Sequence, residues 1–73
     1  MATQYDATIR KFGERIEALR KSKGLTQENL ATKADISHAY YWSIIRNGRN
    51  VTVKTALNLA NALGVTLEDL FKR

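Results

Sequence analysis

Signals that begin and end helices recur along this chain at short intervals, and they constrain its fold more than any other feature. Gly24 and Gly64 each follow apolar residues at helical spacing, where glycine can adopt the left-handed conformation that ends a helix. Four residues are predicted to begin helices, because a hydroxyl can accept a hydrogen bond from the first amides of a helix. They are Thr26, Ser37, Thr52 and Thr66. Asp69 follows Thr66 by three residues, as in a capping box. We therefore predict an all-α domain, a compact bundle of five helices with short connections.

Apolar residues at helical spacing indicate which side of each helix packs inward. In the first helix they are Tyr5, Ile9, Phe12, Ile16 and Leu19. In the second helix they are Leu30, Ala31 and Ala34, and in the fifth they are Leu67, Leu70 and Phe71. In the fourth helix the predicted inward residues are Val53, Ala56, Leu57, Ala60 and Leu63. Leu59 falls off that side, so we expect it to be exposed and available to a partner protein.

One segment allows two interpretations, and it reads YYWSIIRNGRNVTV, residues 40–53. Asn47-Gly48 between aromatic and β-branched residues is a strong signal for a β-hairpin. However, the segment lacks the alternation of polar and apolar residues typical of a half-buried strand, and an isolated hairpin is marginally stable in water. We therefore predict a third helix that reaches about residue 46 and is ended by a left-handed Asn47. Its inward residues would be Tyr41, Ile44 and Ile45.

Length and composition narrow the class of protein. A chain of 73 residues without cysteine has neither disulfides nor a thiolate zinc site, which favours one helical domain over residues 1–73, with residues 1–6 disordered. Its apolar runs are too short for a membrane span or a signal peptide, so we expect a cytoplasmic protein without a membrane partner. A single histidine and the lack of a glycine-rich phosphate loop argue against catalysis. We expect no enzyme activity, no metal, no cofactor and no small-molecule ligand.

The excess of basic residues favours a polyanionic partner. Twelve Lys and Arg residues against seven Asp and Glu give a net charge of +5. On composition alone, solubility explains this charge as well as nucleic-acid binding does. However, residues 36–65 contain no acidic residue, whereas Lys33, Arg46, Arg49 and Lys54 lie within this segment or just before it. This uneven distribution favours one basic surface and hence a nucleic acid.

The second and third predicted helices form a helix-turn-helix arrangement, in which the second helix of the pair presents a polar and aromatic side next to cations. The segment GLTQENLATKADISHAYYWSII, residues 24–45, resembles the Xre/Cro-type helix-turn-helix domain of phage repressors and bacterial regulators. The resemblance extends from FGERIEALRKSKG to NLANALGVTLEDLF and implies a lambda-repressor-like fold. Within this family, IIRNGRNVTVKT is most similar to the controller proteins of restriction-modification systems, which have an Arg-Asn-x-Arg-Asn-x-Thr segment here.

The resemblance implies sequence-specific binding of double-stranded DNA by a homodimer that regulates transcription from an operator. The third helix, about residues 37–46, would then lie in the major groove. The base-reading positions of the family match Ser37, His38, Ala39, Trp42 and Ser43. The phosphate-contacting positions match Gln27, Tyr40, Arg46, Asn47, Arg49, Asn50 and Thr52. The usual dimer interface matches Leu63, Val65, Leu67, Leu70 and Phe71.

Three positions depart from the family pattern. The family typically has glutamate at the position of Ile45, where it pairs with the arginine matched by Arg20. Arg20 therefore needs another partner, which could be solvent, Glu17 or a DNA phosphate. Asp35 stands where glycine is frequent, so the turn is altered. Trp42 stands where a small polar residue is frequent, and it either contacts DNA or shields the domain at its edge or in a dimer contact.

The matched residues also have simpler interpretations. Tyr41 is more typical of a core residue, whereas Tyr40 can reach a phosphate. His38, Arg46 and Arg49 could be solvated surface residues, although their positions beside the predicted reading helix favour contact with DNA. As an alternative function, the chain could be an interaction module, such as an antitoxin, whose helical surface binds a partner protein.

Overall fold

The structure, a computed structural model, describes residues 4–47 and 51–71, with side chains for residues 10–46 and 51–71. Within these ranges the chain forms five helices and no strand. They are α1 (Gln4–Ser22), α2 (Gln27–Lys33), α3 (His38–Asn47), α4 (Val53–Leu63) and α5 (Leu67–Leu70). The predicted all-α fold is confirmed. The hairpin interpretation fails because its first strand lies within α3.

The predicted caps set most of the helix boundaries. Three threonine hydroxyls each accept a hydrogen bond from the backbone amide three residues later. They are those of Thr26 before α2, Thr52 before α4 and Thr66 before α5. The predicted capping box before α5 is present, since Thr66 and Asp69 each accept a hydrogen bond from the backbone of the other. Gly24 and Gly64 have left-handed φ angles of 71° and 72°. A Cβ atom disfavours this conformation, which explains why glycine follows α1 and α4.

The core forms where the helices pack on one another in pairs. α1 packs mainly on α3, α2 packs on both α3 and α4, and α5 packs on α4 and α1. The largest fully buried side chains are Tyr41, Ile16, Leu30, Ile44, Leu59 and Leu70. Five of the residues predicted to face inward from the first two helices are buried, namely Phe12, Ile16, Leu30, Ala31 and Ala34. Tyr5 and Ile9, also predicted inward, lie outside the described side chains.

The buried side of α4 differs from the prediction. Leu59 is 0% exposed, although we expected it to be exposed, whereas Val53 and Leu57 are 70% and 42% exposed. Apolar residues occur on both sides of α4, so its periodicity alone allows two orientations. Packing against α2 and α5 selects one of them, and the buried residues are Thr55, Ala56, Leu59, Ala60 and Leu63. The prediction that Leu59 is available to a partner protein is therefore wrong.

Two helix ends also differ from the prediction. α1 already includes residues 4–6, which we expected to be disordered, because no helix-breaking residue stands between Gln4 and Gly13. Asn47 is the last residue of α3 and not a left-handed stop after it, since asparagine can extend a helix at modest cost. Residues 48–50, where the chain continues, lie outside the described residues.

A close crossing of two helices positions α3. Gly13 of α1 is buried, and a Cβ atom there would lie 2.7 Å from the carbonyl oxygen of Ile45. Real Cβ atoms essentially never come that close, so only glycine permits this crossing without a shift of α1 or α3. We predicted no role for Gly13, because a glycine inside a helical pattern does not reveal which backbone it packs against.

Candidate nucleic-acid interface

α2 and α3 form the predicted pair of helices, joined by residues 34–37. α2 packs on α3, and Ala31 of α2 is 2% exposed. Asp35 in the turn has a left-handed φ angle of 60°, and it is the one non-glycine residue with a positive φ in the described ranges. Aspartate is among the few side chains that tolerate this conformation. The turn therefore has the left-handed backbone conformation that glycine also adopts readily.

The outer side of α3 carries the side chains predicted to read bases. Ser37, His38, Ala39 and Trp42 are exposed, and Ser43 is half-buried. Ser37 also begins the helix, because its Oγ accepts a 3.0 Å hydrogen bond from the backbone N–H of Tyr40. The helical repeat places His38, Ala39 and Trp42 on the side of α3 that projects away from the core, with Ser37 just before the helix and Ser43 at the edge of this side.

Trp42 lies in the middle of this outer side, with Arg46 one turn after it. Trp42 is 49% exposed. The central guanidinium carbon of Arg46 lies 6.0 Å from the centroid of the indole ring, a distance that allows a cation–π interaction. The exposure excludes burial of Trp42 in the core of the protomer. Contact with DNA, shielding of the domain edge and a dimer contact stay as the predicted alternatives.

The inner side of α3 is fixed to the rest of the domain. Tyr41 and Ile44 are 0% exposed, and Ile45 packs against the core as a partly buried residue. The hydroxyl of Tyr41 donates a 2.6 Å hydrogen bond to Oε2 of Glu17 on α1. The prediction of these three residues as inward is confirmed. Apolar packing holds α3 in place, and the hydrogen bond to α1 fixes its rotation.

Glu17 also provides the partner that Arg20 needed. Arg20 donates from Nε to Oε2 of Glu17 at 3.0 Å, and from Nη2 to Oε1 at 2.9 Å. Its Nη1 donates to the carbonyl oxygen of Leu25 at 2.6 Å. The structure thus selects Glu17 from the three candidate partners. The signal in the sequence was the spacing of three residues on one helix, which suits an ion pair.

The pKa values of this group follow from its hydrogen bonds and burial. The hydrogen bond from Arg20 lowers the pKa of Glu17 to about 2, although partial burial of the carboxylate acts in the opposite direction. The same hydrogen bond raises the pKa of Arg20. Burial, aided by the neighbouring carboxylate, raises the pKa of Tyr41. Glu17 is therefore a stable anion that binds α1 to α3.

Gln27, the first residue of α2, joins the same carboxylate. Its Nε2 donates to Oε1 of Glu17 across 3.3 Å. A glutamine side chain has a second N–H and a carbonyl oxygen, so this bond leaves hydrogen-bonding capacity for a phosphate. The carboxylate of Glu17 thus connects α1, α2 and α3, the helix that carries the outer side chains.

A second polar cluster links α3 to the start of α4. The hydroxyl of Tyr40 lies 3.5 Å from Oγ1 of Thr55, and Oγ1 of Thr52 donates to the same atom at 3.1 Å. Oγ1 of Thr52 accepts a 3.1 Å hydrogen bond from the backbone N–H of Thr55. Tyr40 and Thr52, both predicted to contact phosphate, are therefore neighbours at the N-terminus of α4. We predicted no role for Thr55, since only the packing of α4 brings it to this position.

Exposed cations occur on three helices of this region. They are Lys33 on α2, Arg46 on α3 and Lys54 on α4. Residues 36–65 contain no Asp or Glu, so α3 and α4 contribute no negative side chain to the surface. The charge of this part of the molecule suits a polyanion.

The described residues contain no group of three or more His, Cys, Asp or Glu side chains placed to hold a metal ion. In the same part of the chain, no helix is both long enough and apolar enough to cross a membrane.

The residues predicted to form a dimer interface divide into buried and accessible ones. Leu63 and Leu70 are 2% and 1% exposed, so the prediction that they contact a partner is wrong. Both leucines fill the core of their own domain because α4 and α5 pack on each other there. Val65 and Leu67 are half-buried, and Phe71 is 52% exposed. Phe71 also stacks on a phenylalanine of α1, with ring centroids 5.0 Å apart.

Three of the predicted phosphate-contacting residues have no described side chain. Arg49 and Asn50 lie outside the described residues, and only the backbone of Asn47 is described. Their contact with phosphate stays a prediction from the sequence.

A known protein family matches most of the chain. It is the family described as Helix-turn-helix, and the match covers residues 16–70. This range extends from within α1 to the end of α5, so it includes the whole of α2, α3 and α4.

Individual proteins are similar over nearly the full chain. Control protein C.MunI from a Mycoplasma species is 40% identical over 67 residues, which are 90% of this chain and 89% of that protein. Control protein C.BamHI from Bacillus amyloliquefaciens is 37% identical over 60 residues, which are 81% of this chain and 74% of that protein. The crystal structure of the restriction-modification controller protein C.AhdI from Aeromonas hydrophila is 40% identical, with a TM-score of 0.84. That match covers 89% of this chain and 98% of the other.

Proposed function

This chain belongs to the Xre-type helix-turn-helix family of DNA-binding transcription regulators, and we propose that α3 is the helix with which it recognises an operator. In this proposal α3 lies in the major groove, which is about 12 Å wide and admits one helix. The observation that carries it is the exposure of Ser37, just before α3, and of His38, Ala39 and Trp42 in its N-terminal part. That part of a recognition helix reaches base edges in helix-turn-helix proteins.

Two sets of side chains have different roles in this proposal. Base edges are read by Ser37, His38, Ala39, Trp42 and Ser43. The phosphates on both sides of the groove are held by Gln27, Tyr40, Arg46, Asn47, Arg49, Asn50 and Thr52. The first set determines which sequence is preferred, whereas the second set supplies affinity that is common to all sequences and depends on salt.

The carboxylate of Glu17 supports the orientation of α3 that this proposal requires. It accepts hydrogen bonds from Tyr41 of α3 and from Gln27 of α2. A helix that reads bases has to keep a fixed angle to the helix that holds the phosphates, because both contacts form on the same duplex. The two hydrogen bonds to one anion provide this constraint without using any residue of the outer side.

The protein acts as a homodimer in our proposal, and each protomer binds one half of a two-fold symmetric operator. Half-sites would then lie about 34 Å apart, which is one turn of the duplex. Val65, Leu67 and Phe71 are the accessible members of the predicted interface, and Phe71 offers the largest exposed apolar side chain among them. Such a surface costs free energy in water, which association of two protomers would recover.

The names of the relatives support a proposal for the regulated genes. C.MunI and C.BamHI are control proteins, and C.AhdI is a restriction-modification controller protein. We infer that this chain likewise controls transcription of restriction-modification genes. Leu59, the residue that we expected to be available to a partner protein, is 0% exposed, which weakens the alternative of a protein-interaction module.

Selection of bound fragments from random duplexes, repeated at several salt concentrations, tests the proposal. We expect a two-fold symmetric sequence to emerge for the wild-type protein. His38→Ala should change which bases are preferred at one position of each half-site. Arg49→Ala should weaken binding to all sequences and reduce the slope of log affinity against log salt by about 1.

The control for the charge change is Lys11→Ala. Lys11 is exposed on α1, outside the acid-free segment, so its removal should leave the salt slope unchanged. Equally weak binding of all duplexes by the wild-type protein would contradict the proposal of an operator-specific regulator. An unchanged slope for Arg49→Ala would remove Arg49 from the set of phosphate-holding residues.

A further inference from the structure

The outer side of α3 contains an apolar strip that polar base recognition does not explain. The strip consists of the methyl group of Ala39 and the indole ring of Trp42, one turn apart on the helix. Its neighbours on the same side are polar, namely His38 before it and Arg46 after it. Trp42 is 49% exposed, so a large aromatic surface faces water in the protomer.

Arg46 determines which part of the indole ring is accessible. Its guanidinium carbon lies over the ring at 6.0 Å from the centroid. Helical side chains lean toward the N-terminus, so Arg46 approaches the ring from the C-terminal side. The accessible surface therefore lies toward Ala39, whose methyl group extends it. Ala39 and Trp42 are both exposed on this side of α3, so the methyl group can extend the apolar area that the ring offers.

The major groove offers a single kind of apolar partner to such an area. Its base edges carry hydrogen-bond donors and acceptors, except for the methyl group on C5 of thymine. Methylated cytosine presents the same group at the same ring position. An apolar side chain gains affinity there by removing the methyl group and its own surface from water.

We propose that Trp42 is a specificity-determining residue that recognises the 5-methyl group of a pyrimidine in the major groove. This inference rests on the proposed function, since it requires α3 to lie in that groove. Trp42 follows His38 by four residues, a rise of about 6 Å along the helix, which is roughly two base-pair steps. The two side chains can therefore contact different base pairs of one half-site.

Removal or addition of single methyl groups in the DNA tests this inference. The duplex preferred by the wild-type protein is prepared with each thymine replaced in turn by deoxyuridine, and with each cytosine replaced in turn by its 5-methyl form. We expect one position in each half-site at which loss of the methyl group weakens binding about fourfold, or at which its addition strengthens binding about fourfold. Weakening by deoxyuridine identifies thymine as the source, and strengthening by 5-methylcytosine identifies the methylated base.

Two variants connect the effect to Trp42. Trp42→Ala should bind methylated and unmethylated forms of that position equally, whereas Trp42→Phe should keep most of the difference because the ring is retained. Circular dichroism and thermal unfolding show whether both variants are folded, which we expect because Trp42 is not part of the core. The four affinities of wild type and Trp42→Ala on the two duplexes form a double-mutant cycle.

Two results would overturn the inference while the proposed function stands. One is a wild-type protein that prefers its selected duplex over a scrambled one but responds to no methyl group at any position. The other is a methyl response that Trp42→Ala retains in full, since it would belong to another residue. If the wild-type protein prefers no duplex at all, the proposed function and this inference both fail.

Discussion

The two sides of α3 are built from similar kinds of residue but have opposite surroundings. Tyr41 and Ile44 on the inner side are 0% exposed, whereas Trp42 on the outer side is 49% exposed. The hydroxyl of Tyr41 donates a hydrogen bond to Glu17, and the ring of Trp42 lies beside the exposed cation Arg46. Tyr41 and Trp42 are thus adjacent in the sequence, but Tyr41 lies in the core and Trp42 lies at the surface.

This difference shows how one helix can combine stability with recognition. The inner side holds the position and rotation of α3 through packing and through one anion, so that side should tolerate little change. The outer side contributes little to folding, so its residues can vary with the operator. Substitutions on the two sides should therefore have separable effects on unfolding and on DNA binding.

The largest expected effect is that of Ile44→Ala on stability. Removal of a fully buried isoleucine side chain should lower the free energy of unfolding by about 2 to 5 kcal/mol. Trp42→Ala is the matched change on the outer side, and it should cost about 0.5 to 1 kcal/mol through loss of the exposed cation–π contact. Denaturant unfolding of both variants measures the contrast. Similar losses for the two variants would show that both sides of α3 are structural.

A smaller effect is expected from Gly13→Ala, which tests the close crossing that supports the inner side. The new Cβ atom would lie 2.7 Å from the carbonyl oxygen of Ile45, so α1 and α3 would have to separate. We expect a loss of about 1 to 3 kcal/mol in the free energy of unfolding. Glu14→Ala is the control, because Glu14 is the next residue of α1 and is exposed. Unchanged stability of Gly13→Ala would mean that the crossing can widen without cost.

A last effect, comparable in size to that of Gly13→Ala but dependent on pH, is expected from Glu17→Gln. The amide keeps an oxygen that can accept the hydrogen bond from Tyr41 but lacks the negative charge, so we expect a loss of about 1 to 3 kcal/mol at pH 7. The pKa of Glu17 is lowered to about 2 in the folded protein, below an unfolded value of about 4.3. The charged carboxylate therefore adds stability that is fully present above the unfolded pKa and is lost as pH falls toward the folded pKa.

The pH dependence distinguishes this role from simple packing. Between about pH 4.3 and pH 2, the wild-type protein should lose stability that Glu17→Gln has already lost, so the two curves should converge. Thermal unfolding followed over this range is the measurement. Glu14→Gln removes an exposed carboxylate from the same helix and is the control. Its stability curve should run parallel to that of the wild-type protein. Parallel curves for wild type and Glu17→Gln would show that the carboxylate does not link the helices through its charge.

The sequence was most informative where a local signal controls the backbone. Thr26, Thr52 and Thr66 each cap the helix predicted for them, and Gly24 and Gly64 take the left-handed conformation predicted for helix ends. The outer and inner sides of α3 also followed from its periodicity. These features depend on a few neighbouring residues, so they can be derived without knowing how the helices pack.

Predictions that depended on the packing partner were less successful. Leu63 and Leu70 were assigned to a dimer interface, yet both fill the core, and Leu59 was assigned to the surface although it is buried. A leucine on an amphipathic helix can serve either purpose, and its sequence neighbours do not distinguish them. The burial of each depends on where α2 and α5 contact α4.

The sequence by itself determined the five helices, their caps, the basic character of the second half and the family. Only the tertiary structure decided that Gln27 and Tyr41 share the carboxylate of Glu17, and that Gly13 lets α1 meet α3. The physical reason is the range of the interactions. Caps and helical periodicity act over a single turn, whereas a shared anion and a close crossing require residues far apart in the chain to meet.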